Sequence, residues 1–225
     1  VEMTLKNKEV YLTIDDAPSK DFIKKVDFLY KEKIPAIFFC LGKLLKENSN
    51  EIIYAIKKGF IIGNHSFSHK NFDLLSEKMT LQEILKTDSI IEDLYKESGV
   101  KRKYKLFRFP YGIKGGINKK RNQDILKKLG YSQANFSGIN YNYWKELGLD
   151  KDIDCFWTID AEEYIKSLQK VMKRLNEKNP KQGGDLFNKT SKDVLLIHDH
   201  DNTTEVFFKI IKELKKMKIK FVGLK

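Results

Sequence analysis

With 225 residues, 41% of them hydrophobic and 12% aromatic, the chain can bury a core of its own, which excludes wholesale disorder. No apolar run approaches the roughly 20 residues that cross a bilayer, and two cysteines, Cys40 and Cys155, are too few for a disulfide scaffold or a cysteine-rich zinc module. The formal charge is +12, but no basic run is interleaved with aromatics as a single-strand nucleic-acid binder requires. Lysines such as Lys57-Lys58, Lys127-Lys128 and Lys215-Lys216 are therefore read as solvated outer faces of helices, and no nucleic-acid partner is expected. Cys40 and Cys155 sit in or beside apolar runs and read as buried free thiols. A chain that starts at Val1 reads as one with a trimmed N-terminus.

Short apolar runs alternate with stretches of helical period. Val10 to Ile14 predicts a strand, and Phe22, Val26, Leu29 and Tyr30 then fall on one helical face. Ala36 to Leu41 is the next strand, Ile52, Ile53 and Ile56 mark a helix closed by Gly59, and Phe60 to Ile62 is strand again. A long helix through Leu81, Ile84, Leu85, Ile91 and Leu94 is expected to start at Thr80, with Glu83 completing a capping box. Leu106 to Phe109, the weaker Tyr131 to Phe136, Cys155 to Ile159, Val194 to Ile197 and Ile219 to Val222 complete the strands. Helices through Ile125–Leu129, Ile165–Leu175 and Val206–Met217 lie between them. Seven or eight such units predict an α/β fold, a closed or partly closed barrel of parallel strands with helices outside. The whole of 1–225 is read as one domain. No glycine-rich phosphate loop follows the first strand, which argues against nucleotide binding.

Chemistry-capable residues gather where these strands end. Asp15-Asp16 follow the first, His65 and His69 the third, Arg108 and Tyr111 flank the fourth, Asp160 follows the sixth, and His198 with His200 the seventh. In β/α barrels those ends open on one face. The i, i+4 spacing of His65 and His69 would stack both rings on one side of a helical turn, a geometry suited to one metal ion. One carboxylate of the Asp pair plus two imidazoles would leave coordination open for water, as in hydrolytic sites; alone, the Asp pair reads as a turn or helix cap, with its two side chains pointing different ways. Arg108, in an otherwise apolar strand end, needs an acidic partner, and Asp15 and Asp160 are the candidates.

In chain order these residues form five motifs: Thr13-Ile14-Asp15-Asp16-Ala17-Pro18, His65-Ser66-Phe67-Ser68-His69, Arg108-Phe109-Pro110-Tyr111, Trp157-Thr158-Ile159-Asp160 and Leu196-Ile197-His198. The series resembles the polysaccharide deacetylases with a NodB homology domain, carbohydrate esterase family 4, from about Val10 to beyond His198. The resemblance implies a deformed (β/α), TIM-barrel-like barrel of about seven parallel strands and a divalent metal, commonly Zn2+, with Co2+ or Ni2+ as alternatives. It implies Asp16, His65 and His69 as metal ligands, Asp15 as catalytic base and His198 as acid. It further implies Arg108 orienting the base, Asp160 tuning His198, the Tyr111 N–H as oxyanion donor, and Leu196, Pro110 and Trp157 around the substrate.

The substrate so implied is an N-acetylated glycan or glycolipid, handled by a protein exported or held at the cell envelope. Deformylation or other amide hydrolysis on the same scaffold, and a non-catalytic glycan-binding module, are the alternatives. A serine hydrolase is excluded because no G-x-S-x-G elbow exists. Ala17 departs from the family's usual glycine, and Tyr164 stands where tryptophan is common. The stretch Asn176 to Lys192, with Pro180 and Gly183-Gly184, reads as an inserted loop that shapes substrate access, and Asn140 to Trp144 either stacks on sugars or packs on the barrel.

Overall fold

The computed structural model describes residues 5–177 and 183–225. Strands β1 (Glu9–Ala17), β2 (Ala36–Cys40), β3 (Ile61–Asn64), β4 (Ile159–Asp160), β5 (Asp193–His198) and β6 (Lys220–Phe221) form one sheet. Its order is β3-β2-β1-β5-β4, β6 pairs with the start of β1, and every pairing is parallel. The gap between β3 and β4 is bridged by extended chain. Arg108 N donates to Asn64 O at 3.0 Å, Cys155 N to Phe107 O at 2.8 Å, and Thr158 N to Val194 O at 3.0 Å. The ring is thereby closed as a deformed (β/α) barrel.

Six strands are found among the described residues where about seven were expected, and the differences have local causes. Leu106–Phe109 makes a single bridge, Phe107 to Asn64, because β3 ends there. The segment from Cys155 changes neighbours part-way, from Phe107 to β5, so only Ile159–Asp160 completes a ladder. Tyr131–Phe136 forms no strand; Asn135 lies in the left-handed region at φ 52 and breaks the extended run.

Helices α1 (Phe22–Lys31), α2 (Gly42–Leu45), α3 (Ser49–Lys57), α4 (Glu77–Ser98), α5 (Lys119–Lys128), α6 (Asn142–Glu146), α7 (Leu168–Leu175) and α8 (Thr204–Lys216) lie among and around these strands. The two-residue period of β1 and β5 divides the interior. Leu12, Ile14, Leu195 and Ile197 face out against Val26, Leu29, Ile56, Ile210 and Leu214. Tyr11, Val194 and Leu196 face in with Trp157, and Thr13, Asp15 and His198 continue that inner row toward the mouth. The helix expected from Thr80 begins four residues earlier, capped by Ser76, whose Oγ accepts from Met79 N at 3.3 Å. Thr80 is interior to it, and Glu83 is free for another task.

At the opposite end from the mouth, Lys8 is fully buried. Its Nζ lies 2.5 Å from Asp193 Oδ2 and donates to the carbonyls of Asp185, Asn188 and Ser191 at 2.7–3.0 Å. The loop expected to shape substrate access thus ends, in its described part, beneath the barrel; Pro180 lies outside the described residues. Tyr141 and Trp144 also pack there, with Tyr141 donating to Asp193 at 2.8 Å, so packing accounts for that aromatic segment. Lys8→Met leaves Asp193 buried without its cation and is expected to cost about 3–5 kcal/mol in urea unfolding. A loss below about 1 kcal/mol would contradict this role of the pair.

Candidate active site

Because all strands are parallel, their carboxyl ends share one rim. At the end of β1 the register slips: Asp15 pairs with Phe39 and Ala17 with Cys40, so Asp16 is an extra residue, in the left-handed region at φ 67. This bulge defeats the alternation expected of neighbouring residues. Asp15 Oδ2 and Asp16 Oδ1 both approach His65 Nε2, at 3.5 and 3.4 Å. Of the two acids considered for Arg108, Asp15 is the one it meets. Arg108 Nη1 donates to Asp15 Oδ1 at 2.9 Å and to Thr13 Oγ1 at 2.8 Å, and its Nε donates to Cys155 O at 3.0 Å. Its guanidinium also lies over the ring of Phe39, 4.4 Å from the centroid.

His65 and His69 do not lie on a helical turn. The chain leaves β3 into a loop in which Ser66 (φ 69) and His69 (φ 60) are left-handed, and that path brings the two rings to 5.1 Å. Asn64 Oδ1 accepts from Ser66 N at 2.9 Å, and Ser66 Oγ from His69 N at 3.1 Å. Glu83 reaches across from α4 to accept from Phe67 N at 3.0 Å, Ser68 N at 2.8 Å and Ser68 Oγ at 2.7 Å. The sequence suggested helix capping for Glu83; its position six residues into α4, facing this loop, is visible only in three dimensions.

Asp16, His65 and His69 offer ligand atoms that lie within 4.8 Å of one another. His65 Nδ1 faces the Arg108 carbonyl at 2.8 Å, which can only accept, so the proton sits there and Nε2 is directed at the carboxylates. Asp16 Oδ1 is buried and has no hydrogen-bond partner, although His65 Nε2 and His69 Nε2 stand 3.4 and 3.2 Å away. Tetrahedral bonds of about 2.0–2.1 Å place ligand atoms about 3.3 Å apart. An unsatisfied carboxylate oxygen at that spacing from two imidazole nitrogens fits a divalent cation. Burial works against the Asp16 charge, but the neighbouring imidazoles, His200 foremost through its hydrogen bond, hold the carboxyl well below the usual range.

On β5, beside Asp15 of β1, His198 Nδ1 lies 3.1 Å from Glu163 Oε1, and the same oxygen accepts a short hydrogen bond from His198 N. Glu163 is completely buried. Asp160, expected beside His198, instead accepts from Glu162 N at 2.9 Å, and burial raises its pKa. Its carboxylate remains within 4.8 Å of the His198 and Glu163 ligand atoms, but Glu163 makes the direct contact. Three acids stand within four positions, 160 to 163; the left-handed turn at Glu162 (φ 50) selects which one points in. Burial disfavours the His198 cation, yet the Glu163 hydrogen bond and charge, with Asp15 and Asp16, raise its pKa to about 10.

Tyr111 occupies the turn after Arg108 at φ 58, its ring edge-on to His69 at 4.5 Å, and its N–H makes no hydrogen bond to any described residue. Gly112, at φ +66, lies so close to Trp157 that a Cβ would come within 2.6 Å of the ring. Pro110, Trp157 and Leu196 are all buried; Trp157 and Leu196 share one interior cluster, and the Pro110–Gly112 turn closes over the Trp157 ring. His200, which carried no assigned role, places Nε2 2.7 Å from Asp16 Oδ2. With Asp16, His69, Lys20 and Lys43 it lines a cleft of about 570 Å³.

These features form one polar site at the mouth of a deformed barrel, and comparison with known proteins places the chain in a family. A polysaccharide deacetylase family model matches residues 2–134, and the chain belongs to that family. The curated peptidoglycan-N-acetylmuramic acid deacetylase PdaA of Bacillus subtilis (strain 168) is 32% identical over 141 residues, 62% of this chain and 50% of that protein. The chain spans about half, or less, of the length of such curated relatives. The structure of peptidoglycan deacetylase PdaC from Bacillus subtilis superimposes with a TM-score of 0.63 at 26% identity, covering 96% of this chain and 88% of that one. A CE4 family pseudoenzyme from Bacillus anthracis shares the fold at 21% identity, TM-score 0.65, covering 96% and 64%.

The Glu163–His198 contact has a sign that can be checked. The folded value lies above the unfolded value of about 6.5, so His198 protonation contributes stability that is complete below that pH. The contribution is lost as pH rises toward about 10. In metal-free Glu163→Gln, NMR titration should show the His198 ring deprotonating at distinctly lower pH than in the parent. An unchanged midpoint would remove Glu163 from this role.

Proposed function

We propose that this chain is a metal-dependent hydrolase that removes N-acetyl groups from amino sugars of a polysaccharide, oligosaccharide or glycolipid. The described residues are read as one catalytic domain. The observation that carries the reading is Asp16 Oδ1, buried without a hydrogen-bond donor and faced by two imidazole nitrogens, beside a candidate base, Asp15, and a candidate acid, His198, that are register partners on the neighbouring strands β1 and β5. Because the same fold occurs in a pseudoenzyme, fold alone does not carry activity; the residues at the mouth do.

Asp16, His65 and His69 would hold the cation, with Zn2+ the favoured ion. When bound, a divalent cation supplies Lewis acidity, acidifying water and polarising a carbonyl. Asp15, held by Arg108, which Thr13 in turn anchors, takes the proton of the attacking water. The Arg108 hydrogen bond to Oδ1 leaves Oδ2 to accept it. The Tyr111 N–H donates to the developing oxyanion, a preorganised contact worth about 3–4 kcal/mol. His198, on the strand next to that of Asp15, acts as the imidazolium and gives its proton to the departing amine nitrogen, with Glu163 fixing the ring. Pro110, Trp157 and Leu196 form the apolar wall against which an acetyl methyl would rest. The relatives' names point to peptidoglycan as the substrate class to test first, and such a substrate would place the protein at the cell envelope.

Acetate release from a panel of N-acetylated glycans should be abolished by chelator and restored by zinc or cobalt; release insensitive to chelation would contradict the reading. Asp15→Asn should retain metal while losing about 10²–10⁴-fold in kcat. A variant turning over at the parent rate would reject Asp15 as the base.

A further inference from the structure

The chain has four histidines, and all four converge on this mouth. Three are accounted for above. The fourth, His200, stands on the cleft side of Asp16, with its ring stacked on that of His198 at 5.1 Å and 29°. Its Nε2 lies 2.7 Å from Asp16 Oδ2, the shortest of the contacts that Asp16 makes with the imidazoles of this site. A carboxylate oxygen only accepts, so Nε2 carries the proton and donates.

The backbone of His200 is not free to carry the ring away. The His200 carbonyl accepts from Lys25 Nζ at 3.2 Å, and Asp199 is buried and pinned by Lys25 Nζ at 2.6 Å and by Ser19 N and Oγ at 2.7 and 2.6 Å. Asp199 N in turn donates to Asp15 O at 2.8 Å. Three elements thus hold His200 against the bulge that presents Asp16: the chain after β5, α1 through Lys25, and the turn at Ser19.

We infer that His200 is a positioning residue for the cation site, using its Nε2–H to occupy Asp16 Oδ2 so that Oδ1 alone is offered to a metal. A carboxylate free to rotate can bind through both oxygens and so fill the position that a hydrolytic site must leave open. Pinning one oxygen prevents that and sets the carboxylate plane, as hydrogen bonds to metal-binding side chains generally do. Because the proton sits on Nε2 in this arrangement, that nitrogen has no lone pair to offer a metal, and His200 acts through Asp16.

The inference rests on the cation reading of Asp16, His65 and His69, and the test separates the two. Zinc affinity is measured by competition with a chromophoric chelator for the parent, Asp16→Ala, His200→Ala and His200→Gln, whose amide N–H can reach the place of Nε2. His200→Ala should bind zinc about 10–100-fold more weakly, with His200→Gln recovering to within about threefold of the parent. The Co2+ absorption bands should keep the parent's pattern in His200→Ala at saturating metal, since no ligand has been removed. Parent affinity in His200→Ala, no recovery in His200→Gln, or a cobalt spectrum showing a lost nitrogen ligand would each overturn the inference. Parent protein that binds zinc no more tightly than Asp16→Ala would overturn the cation reading itself, and this inference with it.

Discussion

Arg108 sits in the throat of the barrel with no exposure to solvent, where an unpaired guanidinium would cost several kcal/mol. Its cost is offset by the Asp15 carboxylate, the Thr13 hydroxyl, the Cys155 carbonyl and the face of Phe39. The same residue's carbonyl accepts a hydrogen bond from His65 Nδ1 and turns the other nitrogen toward Asp16. One side chain therefore fixes the proposed base, and one peptide group fixes a proposed ligand. They are coupled through a segment that itself closes the gap between β3 and β4. Loss of Arg108 would disturb proton transfer, cation geometry and barrel closure together.

A second constraint is conformational. Asp16, Ser66, His69, Tyr111 and Glu162, all at or beside the mouth, are non-glycine residues in the left-handed region. Each such residue costs about 1–3 kcal/mol and persists only where its surroundings over-determine it. Those surroundings are identifiable: the bulge between β1 and β2, Asn64 and Glu83 around the histidine loop, and Gly112 wedged against Trp157. The mouth is rigid because the barrel and α4 hold these turns, and the turns in turn place side chains that regular strands would send elsewhere.

Much of this was legible in the sequence. The buried runs of β1, β2 and β5 read directly as parallel strands, and the clustering of polar residues at strand ends pointed to the mouth. The demand of Arg108 for an acid followed from burial alone. Local backbone departures were not legible. Hydrophobic periodicity carries no signal for a bulge, so the two aspartates were expected to diverge. The i, i+4 spacing of His65 and His69 suggested a helix because spacing does not distinguish a helical turn from a loop of equal reach. The resemblance implied Asp160 beside His198, and chain order cannot reveal the turn at Glu162 that brings Glu163 to the ring instead. Glu83 and His200 act on residues distant in the chain, one from the flank of α4 and one from the end of the neighbouring strand β5, and nothing near them in the chain indicates it.

The central claim is that Asp16, His65 and His69 share one cation. A crystal of the zinc-reconstituted protein, measured on both sides of the zinc absorption edge, tests it directly. A single anomalous peak between Asp16 Oδ1 and the Nε2 atoms of His65 and His69 is the predicted result. No peak there, with zinc found only at other side chains, would contradict the account.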